Sequence, residues 1–411
     1  MAVGVLPRFD PSDPAVFDDP YPAYARLRAE GPLARGLGGQ WVLAGHAEIS
    51  AVSRDRRMTK LLPPGYYESL MGIGEASAFL IRMQELFHNR PVTRLLGRAF
   101  TGRFTPRLTE YALTAARGLL APAVRDGRFD AVRDVGVPLP VSVVCELFGI
   151  PEADRELFRT SVAAMVAAFN DSVLTTDPEV LAARRAAADT GVTALRTCLA
   201  PLVERARARP ASDVLSVLAA HNDDGVALAD DVVIDSVIMS CYAGFETAMA
   251  MITTGLAVLA GKPGEWAKLR ARPELVPTAV EEFVRYDAPI QIGVRRVLET
   301  VEIGGRSIRP GRLLVLLLGS ANHDERVFAR PAGLDVTRSP NPHVGYGGGA
   351  YACLGAALAR LEGAVVLRAM LEAFTGIASD GPPVRLPRFN FRTYASVPLA
   401  VTAERPRNVT R

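Results

Sequence analysis

A single cysteine follows a glycine-rich loop near the C-terminus of this 411-residue chain. Four of the five residues at 345–349 are glycines, so the backbone can lie flat against a large planar ligand. The residues that follow form an apolar stripe with helical spacing, Leu354, Leu358, Leu361 and Val365. Cys353 is therefore expected at the start of a helix, where free N–H groups and the helix dipole favour a thiolate. Such a thiolate is a candidate metal ligand.

The other cysteines and histidines limit which metal this thiolate would bind. Zinc and iron–sulfur sites need several Cys or His ligands, usually in close pairs. The residues of these two types are scattered along the chain, at Cys145, Cys198, Cys241, Cys353, His46, His88, His221, His323 and His343. A single thiolate suits haem iron, because the porphyrin supplies the other four donors. For this cysteine taken alone, a buried and inert thiol is the alternative.

The sequence around Cys353 resembles the haem-binding loop of the cytochromes P450. The matching positions, in the loop and along the next helix, are Tyr346, Gly347, Gly349, Cys353, Gly355, Ala359, Arg360 and Glu362. Tyr351 departs from the pattern, because the family has a cation there that holds a haem propionate. The resemblance implies that Cys353 binds the iron of haem b and that Tyr346, Gly347, Tyr351 and Gly355 contact the cofactor.

A second motif lies within the longest apolar run, residues 232–260. Small residues in Ala243–Thr247 leave room for a ligand beside the helix, and a threonine can bond to the carbonyl four residues earlier and open the helix locally. The motif resembles the family's oxygen-activation site, which implies that Ala243 and Gly244 lie beside the haem. Glu246 and Thr247 would then organise proton delivery, with O2 as co-substrate. Taken alone, the motif could equally be a helix–helix contact with a satisfied threonine.

The same run is long enough to raise the possibility of a membrane span. Asp235 and Glu246 interrupt it, and no positively charged flank or companion span supports insertion. We therefore expect a long buried helix.

Further landmarks of the family follow in sequence order. Glu282 and Arg285 have the spacing of its Glu-x-x-Arg signature, and Arg338 matches the third member of that structural ionic cluster. Arg295 matches a propionate-binding arginine, and we expect His343 to assist it.

The propionate anchors before Phe100 are altered. The family often has His and Arg at the two positions that are Asn89 and Thr93 here. The nearby basic residues lie out of register, and the candidates for this role are His88, Arg90 and Arg94.

Apolar and aromatic side chains indicate a substrate pocket. The segment 61–89 reads as irregular and rich in apolar residues, and by resemblance it covers the substrate, although a loop packed on its own side chains is the alternative. We expect residues 290–294 to enter the pocket as a strand and residues 389–393 to point into it as a turn. The predicted pocket residues are Tyr66, Tyr67, Phe79, Met239, Ala243, Ile290, Ile292, Val294 and Phe391.

Composition sets the class of protein. With 49% hydrophobic and 22% charged residues the chain can bury a large core, and a net charge of +3 is too small to indicate nucleic acid or a membrane surface. Residues 1–14 lack a signal-peptide pattern, and the four cysteines show no disulfide framework, so we expect a cytoplasmic monomer. The predicted fold is mainly α with a minor β region: an extension at 1–17, one haem domain at 18–400 and a tail at 401–411.

The resemblance implies a haem-thiolate monooxygenase. Such an enzyme inserts one oxygen atom from O2 into a small organic substrate, free or carried on another protein, and we interpret the reaction as a tailoring step in secondary metabolism. Because the chain has no flavin or NAD fingerprint, electrons must come from partners, and the resemblance implies a ferredoxin and a ferredoxin reductase. One alternative is an enzyme that couples, rearranges or eliminates. Another is a non-catalytic helper, against which the retention of Cys353, Glu246 and Thr247 argues.

Overall fold

The computed structural model describes residues 6–102, 104–223, 226–388 and 390–403. Helices dominate it, as the sequence predicts. In chain order they are α1 Pro14–Asp18, α2 Tyr21–Glu30, α3 His46–Arg54, α4 Tyr66–Met71, α5 Glu75–Leu86, α6 Arg90–Thr101, α7 Thr105–Asp126, α8 Pro138–Phe148, α9 Arg155–Leu174, α10 Pro178–Ala208, α11 Val214–Ala219, α12 Asp230–Ala260, α13 Pro263–Ala271, α14 Val276–Tyr286, α15 Leu318–Ala321 and α16 Ala356–Ala373.

The strands are short and form a minor part of the fold. They are β1 Arg8–Phe9, β2 Ala34–Gly36, β3 Trp41–Leu43, β4 Met58–Thr59, β5 Arg128–Asp130, β6 Asn222–Asp223, β7 Val226–Ala227, β8 Ile292–Val297, β9 Val301–Ile303, β10 Arg306–Ile308, β11 Leu313–Leu317, β12 Phe374–Ser379, β13 Val384–Arg385, β14 Tyr394–Ser396 and β15 Pro398–Ala403. The largest sheet has the order β1-β2-β3-β11-β8-β4. This order brings β4 and β8, which are distant in sequence, side by side.

Helix α12 runs through the middle of the helical layer and packs against α8, α9, α10 and α16. Its 31 residues span about 45 Å. Close approach to α14 depends on Gly255, because a Cβ at that position would lie 2.3 Å from Cδ2 of Phe283. By length and composition α12 could cross a membrane, but 67% of its most apolar window is buried inside the protein. It is therefore a core helix, as expected, and it continues unbroken through Ala243–Thr247 without the local opening that we predicted.

The segment 61–89, predicted to be irregular, contains two helices. Gly65 and Gly72 adopt φ of 77° at the ends of α4, and Gly74 precedes α5, so glycines separate the helices. Within α5 the buried Ala76, Phe79 and Leu80 have the spacing of one helix face. Sequence reasoning noted the apolar residues of this segment but missed their short helical period.

Paired strands extend beyond both predicted bounds of the haem domain, residues 18 and 400. Phe9 is buried, and its strand β1 pairs with β2, so this part of the predicted extension belongs to the main sheet. At the other end β15 continues to Ala403 and pairs with β12 and β5. Backbone hydrogen bonds join β1 and the end of β15 to the sheets of the domain, and composition does not predict such bonds.

Candidate active site

A cavity of about 450 Å³ lies between α12, the glycine-rich loop and strand β8. Most of the residues predicted for the site line it. From the predicted cofactor site and its flank these are Ala243, Gly244, Thr247, Arg295, Tyr346, Gly347, Tyr351, Cys353 and Gly355, and from the predicted substrate pocket Tyr66, Tyr67, Met239, Ile290, Ile292 and Val294. Residues more than 290 positions apart in sequence therefore meet around one space.

The glycine-rich loop holds Cys353 at the wall of this cavity. The N–H of Cys353 donates to the carbonyl of Tyr346 at 2.8 Å, which closes the loop on itself. Gly349 has φ of 63°, and a Cβ there would lie 2.6 Å from the carbonyl oxygen of Ser53, at the end of α3. Only glycine therefore allows the loop to lie this close to α3.

The helix after the loop begins at Ala356, three residues later than Cys353, and not at Leu354 as predicted. Leu354 and Gly355 form a turn in between. Desolvation raises the pKa of the Cys353 thiol, while the N–H of Gly355 and the charges of Lys60 and Arg360 oppose the rise. The cysteine thus has the backbone donor and cationic surroundings that stabilise a thiolate once a metal binds it.

Thr247 borders the cavity from α12. Its hydroxyl donates to the carbonyl of Ala243 at 2.6 Å, the bond to the residue four positions earlier that we expected. Glu246 lies behind it, buried, and is not part of the cavity lining. Its carboxylate accepts a hydrogen bond from Nη1 of Arg388 at 2.6 Å, so the C-terminal segment is tied to the centre of α12. Sequence reasoning did not identify Arg388.

Tyr351 and His88 are hydrogen-bonded to each other where the family pattern has a cation. The Nδ1 of His88 lies 3.0 Å from the carbonyl of Gln84, and its Nε2 lies 2.7 Å from the hydroxyl of Tyr351. A neutral imidazole must donate from Nδ1 to the carbonyl, so its Nε2 accepts the hydroxyl proton of Tyr351. In this state the O–H of Tyr351 is used within the protein.

Arg295 is mostly buried on β8 and lines the cavity. Its Nη1 donates to the carbonyl of the adjacent Val294, and its Nε has no hydrogen-bond partner. The guanidinium lies 5.2 Å from the centre of the Tyr351 ring. Burial lowers the pKa of Arg295, which reflects a cation held away from solvent.

Lys60 is the main cavity residue that sequence reasoning missed. It follows strand β4, and its ammonium lies 4.5 Å from the centre of the Phe87 ring and 5.8 Å from that of Tyr351. Burial, together with repulsion by Arg295, lowers the pKa of Lys60 to about 8. The one sequence signal was its rarity, since Lys60, Lys262 and Lys268 are the only lysines in the chain.

Apart from the ionic cluster and Arg90, six of the predicted residues lie outside the cavity lining. Phe79 is fully buried, with its ring in a T-shaped contact with Tyr242. Phe391 is buried and forms a β-bridge with Ile290. The other four are Glu246 and His88, already described, together with Arg94 and His343.

Arg94 and His343 are in different surroundings from those predicted. Arg94 and Arg90 are exposed and line a neighbouring pocket on the outer side of the loop, beside Tyr351. His343 lies 3.1 Å from a carboxylate oxygen of Glu281, which Arg360 also contacts. Burial opposes ionisation, but these hydrogen bonds lower the pKa of Glu281 to about 2. His343 therefore has an acid partner within the protein and does not face the cavity.

The three residues of the predicted ionic cluster meet in the interior. Arg285 makes two bonds to the carboxylate of Glu282, at 2.7 and 2.8 Å, and Nε of Arg338 donates to the same carboxylate at 3.0 Å. The remaining donors of Arg285 bond to the carbonyls of Asn322, Pro331 and Gly333. The cluster fixes the chain that leads into the glycine-rich loop.

These surroundings fit a haem. The cavity volume is within the range of about 300–1,000 Å³ typical of ligand pockets. A thiol faces it, glycines leave the loop wall flat, and the cavity is lined by two cations, Lys60 and Arg295, neither of which has a carboxylate partner among the described residues. The one acid in the lining, Glu362, has its pKa raised to about 8 by burial. The site therefore lacks negative charge, which a cofactor with two carboxylates supplies.

Comparison with known proteins identifies the family of this chain. The family model described as Cytochrome P450 matches residues 156–391. The nocardicin C N-oxygenase of Nocardia uniformis subsp. tsuyamanensis is 36% identical over 390 residues, covering 91% of this chain and 93% of that protein.

Solved structures show the same likeness. The crystal structure of CalO2 superimposes with a TM-score of 0.85 at 28% identity, covering 96% of this chain and 99% of that one. The crystal structure of P450BioI in complex with an acyl carrier protein ligated to hexadec-9Z-enoic acid superimposes with a TM-score of 0.82 at 28% identity. The match covers 94% of this chain and 99% of that one. The chain therefore belongs to the cytochrome P450 family and is a P450 monooxygenase.

Proposed function

We propose that this monooxygenase uses haem b, bound through the thiolate of Cys353, to insert one oxygen atom from O2 into a small apolar organic substrate. The observation that carries the proposal is that Cys353 and Thr247 face one cavity from two different elements. A thiolate-bound haem, when present, supplies the oxygen-activating chemistry, because the thiolate pushes electron density onto the iron and favours O–O cleavage.

The residues of the chain divide the remaining tasks. The glycine-rich loop fixes Cys353, since its N–H is bonded to the carbonyl of Tyr346 and its position is set by contact with α3. Ala243 and Gly244 leave the cavity side of α12 open, which gives a small gas molecule room to lie there. Cys353 and these two residues therefore account for ligation and access.

Thr247 is proposed to hold a proton at the cavity surface. Because its hydroxyl hydrogen is donated to the carbonyl of Ala243, its oxygen can accept a hydrogen bond from the cavity side. Glu246, one residue earlier and outside the lining, is proposed to relay protons from behind the helix. Arg388 bonds to one carboxylate oxygen, Oε2, and the proposed relay would use the other, Oε1.

The lining indicates what kind of substrate the site accepts. Away from the loop it is mostly aliphatic and aromatic, with Leu62, Tyr66, Tyr67, Phe169, Met239, Ile290, Ile292 and Val294. Such a surface gives most of its binding energy to apolar groups and little to charges. The likeness to nocardicin C N-oxygenase supports a tailoring step in secondary metabolism. The likeness to a P450 bound to an acyl carrier protein supports testing carrier-bound substrates beside free ones.

Electrons are proposed to come from a ferredoxin and its reductase, in the cytoplasm. Bacterial P450 enzymes generally use such partners. The exposed guanidinium groups of Arg90 and Arg94 lie beside the loop that carries Cys353, on a surface suited to an acidic partner. We propose that the enzyme acts as a monomer.

The carbon monoxide complex of the reduced protein tests the central assignment. We expect it to absorb at the position specific for thiolate ligation, and we expect Cys353→Ala to abolish that band. Cys198→Ala is a matched control, because Cys198 is a partly buried thiol outside the cavity lining and the substitution should leave the band intact. An unchanged spectrum in Cys353→Ala would show that the ligand is misassigned. Binding-induced shifts of the haem spectrum would then identify substrates.

A further inference from the structure

Lys60, which follows β4, and Arg295 of β8 are neighbouring like charges. Strand β4 pairs antiparallel with β8, with Met58 opposite Val297 and Thr59 opposite Arg296. When this register is continued by one residue, Lys60 comes opposite Arg295. Residues directly opposite each other share one face of a sheet, and like charges in such a pair are destabilising.

Neither cation is paired with a carboxylate in the part of the chain that the structure describes. The charges that act on Lys60 are those of Arg295 and Cys353, and Arg295 interacts chiefly with Tyr351. Both side chains line the cavity, and Nε of Arg295 lacks a partner there. The Cys353 thiolate can act as a counter-charge for Lys60, but one thiolate does not neutralise two neighbouring buried cations, so the pair favours a further anion in the cavity.

Tyr351 is consistent with such an arrangement. Its ring lies 5.8 Å from the ammonium of Lys60 and 5.2 Å from the guanidinium of Arg295, so its π face attracts both cations. A third cation at position 351 would be repelled by these two. A neutral aromatic residue such as Tyr351 is therefore compatible with a lysine at position 60, whereas a cation at position 351 is not.

We propose that Lys60 and Arg295 together bind the two carboxylates of the haem, and that Lys60 replaces the cation absent from position 351. The proposal rests on the haem assignment above. It accounts for the altered anchors without His343, Arg90 or Arg94, which either have an acid partner or lie outside this cavity. Two cations then match two anionic groups.

The holoenzyme provides the test, through the rate at which haem passes to excess apomyoglobin. One charge-assisted hydrogen bond contributes about 1.5–3 kcal/mol, so Lys60→Met should release haem at least about tenfold faster than the wild type. Lys60→Arg should restore most of the retention. The control is Lys262→Met, which removes an exposed lysine far from the site in sequence and should change nothing.

Resonance Raman spectroscopy of the same proteins reads the propionate groups directly. The propionate bending band should shift in Lys60→Met and not in Lys262→Met. If Lys60→Met keeps its haem and an unchanged propionate band while the carbon monoxide spectrum still reports thiolate, Lys60 does not bind the propionates and the proposal fails, with the proposed function intact. Faster haem loss with an unshifted band would also overturn it, because Lys60 would then act only through packing. Loss of the thiolate spectrum in the wild type would instead refute the haem assignment itself.

Discussion

At the scale of single residues, Thr247 and Thr253 of α12 make the same backbone hydrogen bond, but only Thr247 lies at the cavity. Thr247 and Thr253 each donate their hydroxyl to the carbonyl four residues earlier, at 2.6 and 2.8 Å. Thr253 is fully buried, whereas Thr247 borders the cavity. The backbone bond is thus common to both, and access to the cavity distinguishes them.

We predict that Thr247→Ala retains its haem but releases a large part of its electrons as hydrogen peroxide, because proton delivery at the cavity is impaired. Thr247→Ser, which keeps the hydroxyl, should remain largely coupled. The measurement is the ratio of peroxide formed to reduced nicotinamide consumed in a reconstituted electron-transfer system. Thr253→Ala is the control and should lower stability by about 1 kcal/mol while leaving the ratio unchanged. Fully coupled turnover in Thr247→Ala would assign proton delivery to another group.

Single residues also show where sequence reasoning succeeds and where it stops. Cys353 and Thr247 were predicted from short runs of neighbouring residues, and the structure places both at one cavity. Lys60 and Arg388 were not, because Lys60 acquires its role from strand pairing with β8 and Arg388 from contact with α12. His343 was assigned to the cofactor by position, but Glu281 is its partner. Which cation meets which anion depends on tertiary distances.

At the scale of elements, one carboxylate joins three helices above the cavity. Asp235 of α12 is 2% exposed, and it accepts from Arg82 of α5 at 2.7 Å and from Arg196 of α10 at 2.5 Å. Asp189 of α10 adds a second link, since it accepts from the N–H of Ala76 at the start of α5. These contacts hold α10 and α5 to α12, the helix that carries Thr247 at the cavity.

We predict that Asp235→Asn lowers the free energy of unfolding by roughly 2 kcal/mol, because it leaves the partly buried Arg82 without its acid and leaves Arg196 with only the exposed Asp231. Hydrogen exchange in α5 and α10 should accelerate more than in α16, which Asp235 does not link. The control is Asp231→Asn. Because the Asp231 side chain is 75% exposed in its pair with Arg196, this substitution should lower the free energy of unfolding by less than about 1 kcal/mol. Equal exchange rates in α5 for the wild type and Asp235→Asn would show that this carboxylate does not hold the helices together.

Element prediction was most accurate where a pattern was long. The long apolar run of α12 was found from sequence, because many residues repeat one signal. Helices α4 and α5 were missed, since six and twelve residues between glycines carry a weak period. The pairing of β1 with β2 was also missed, because a two-residue strand has no pattern of its own.

At the scale of the whole molecule, burial changes the pKa values of His323 and Glu362, and the two changes have opposite effects on the pH dependence of stability. Burial lowers the pKa of His323 from 6.5 to about 4, and its Nε2 donates to the carbonyl of Tyr286. Burial raises the pKa of Glu362 from 4.5 to about 8, and its Oε1 has no partner. Between about pH 4 and 6.5 folded His323 is already neutral, whereas the same histidine in the unfolded chain still binds a proton. As pH rises through this range the unfolded chain loses that proton, so folding becomes more favourable. As pH rises from about 4.5 to 8 the unfolded chain loses a proton that folded Glu362 retains, so folding is disfavoured.

The two contributions overlap between pH 4.5 and 6.5, where they largely cancel, and the glutamate acts alone between 6.5 and 8. We therefore predict that the wild-type holoenzyme is most stable from about pH 4.5 to 6.5 and loses on the order of 2 kcal/mol by pH 8. Glu362→Gln should remove that loss and leave stability level from pH 6.5 to 8. His323→Gln, which can still donate to the Tyr286 carbonyl, should instead lose stability continuously from pH 4.5 to 8. Urea unfolding midpoints of the three proteins across this range provide the measurement, and a Glu362→Gln profile parallel to the wild type above pH 6.5 would show that Glu362 is not the group that titrates.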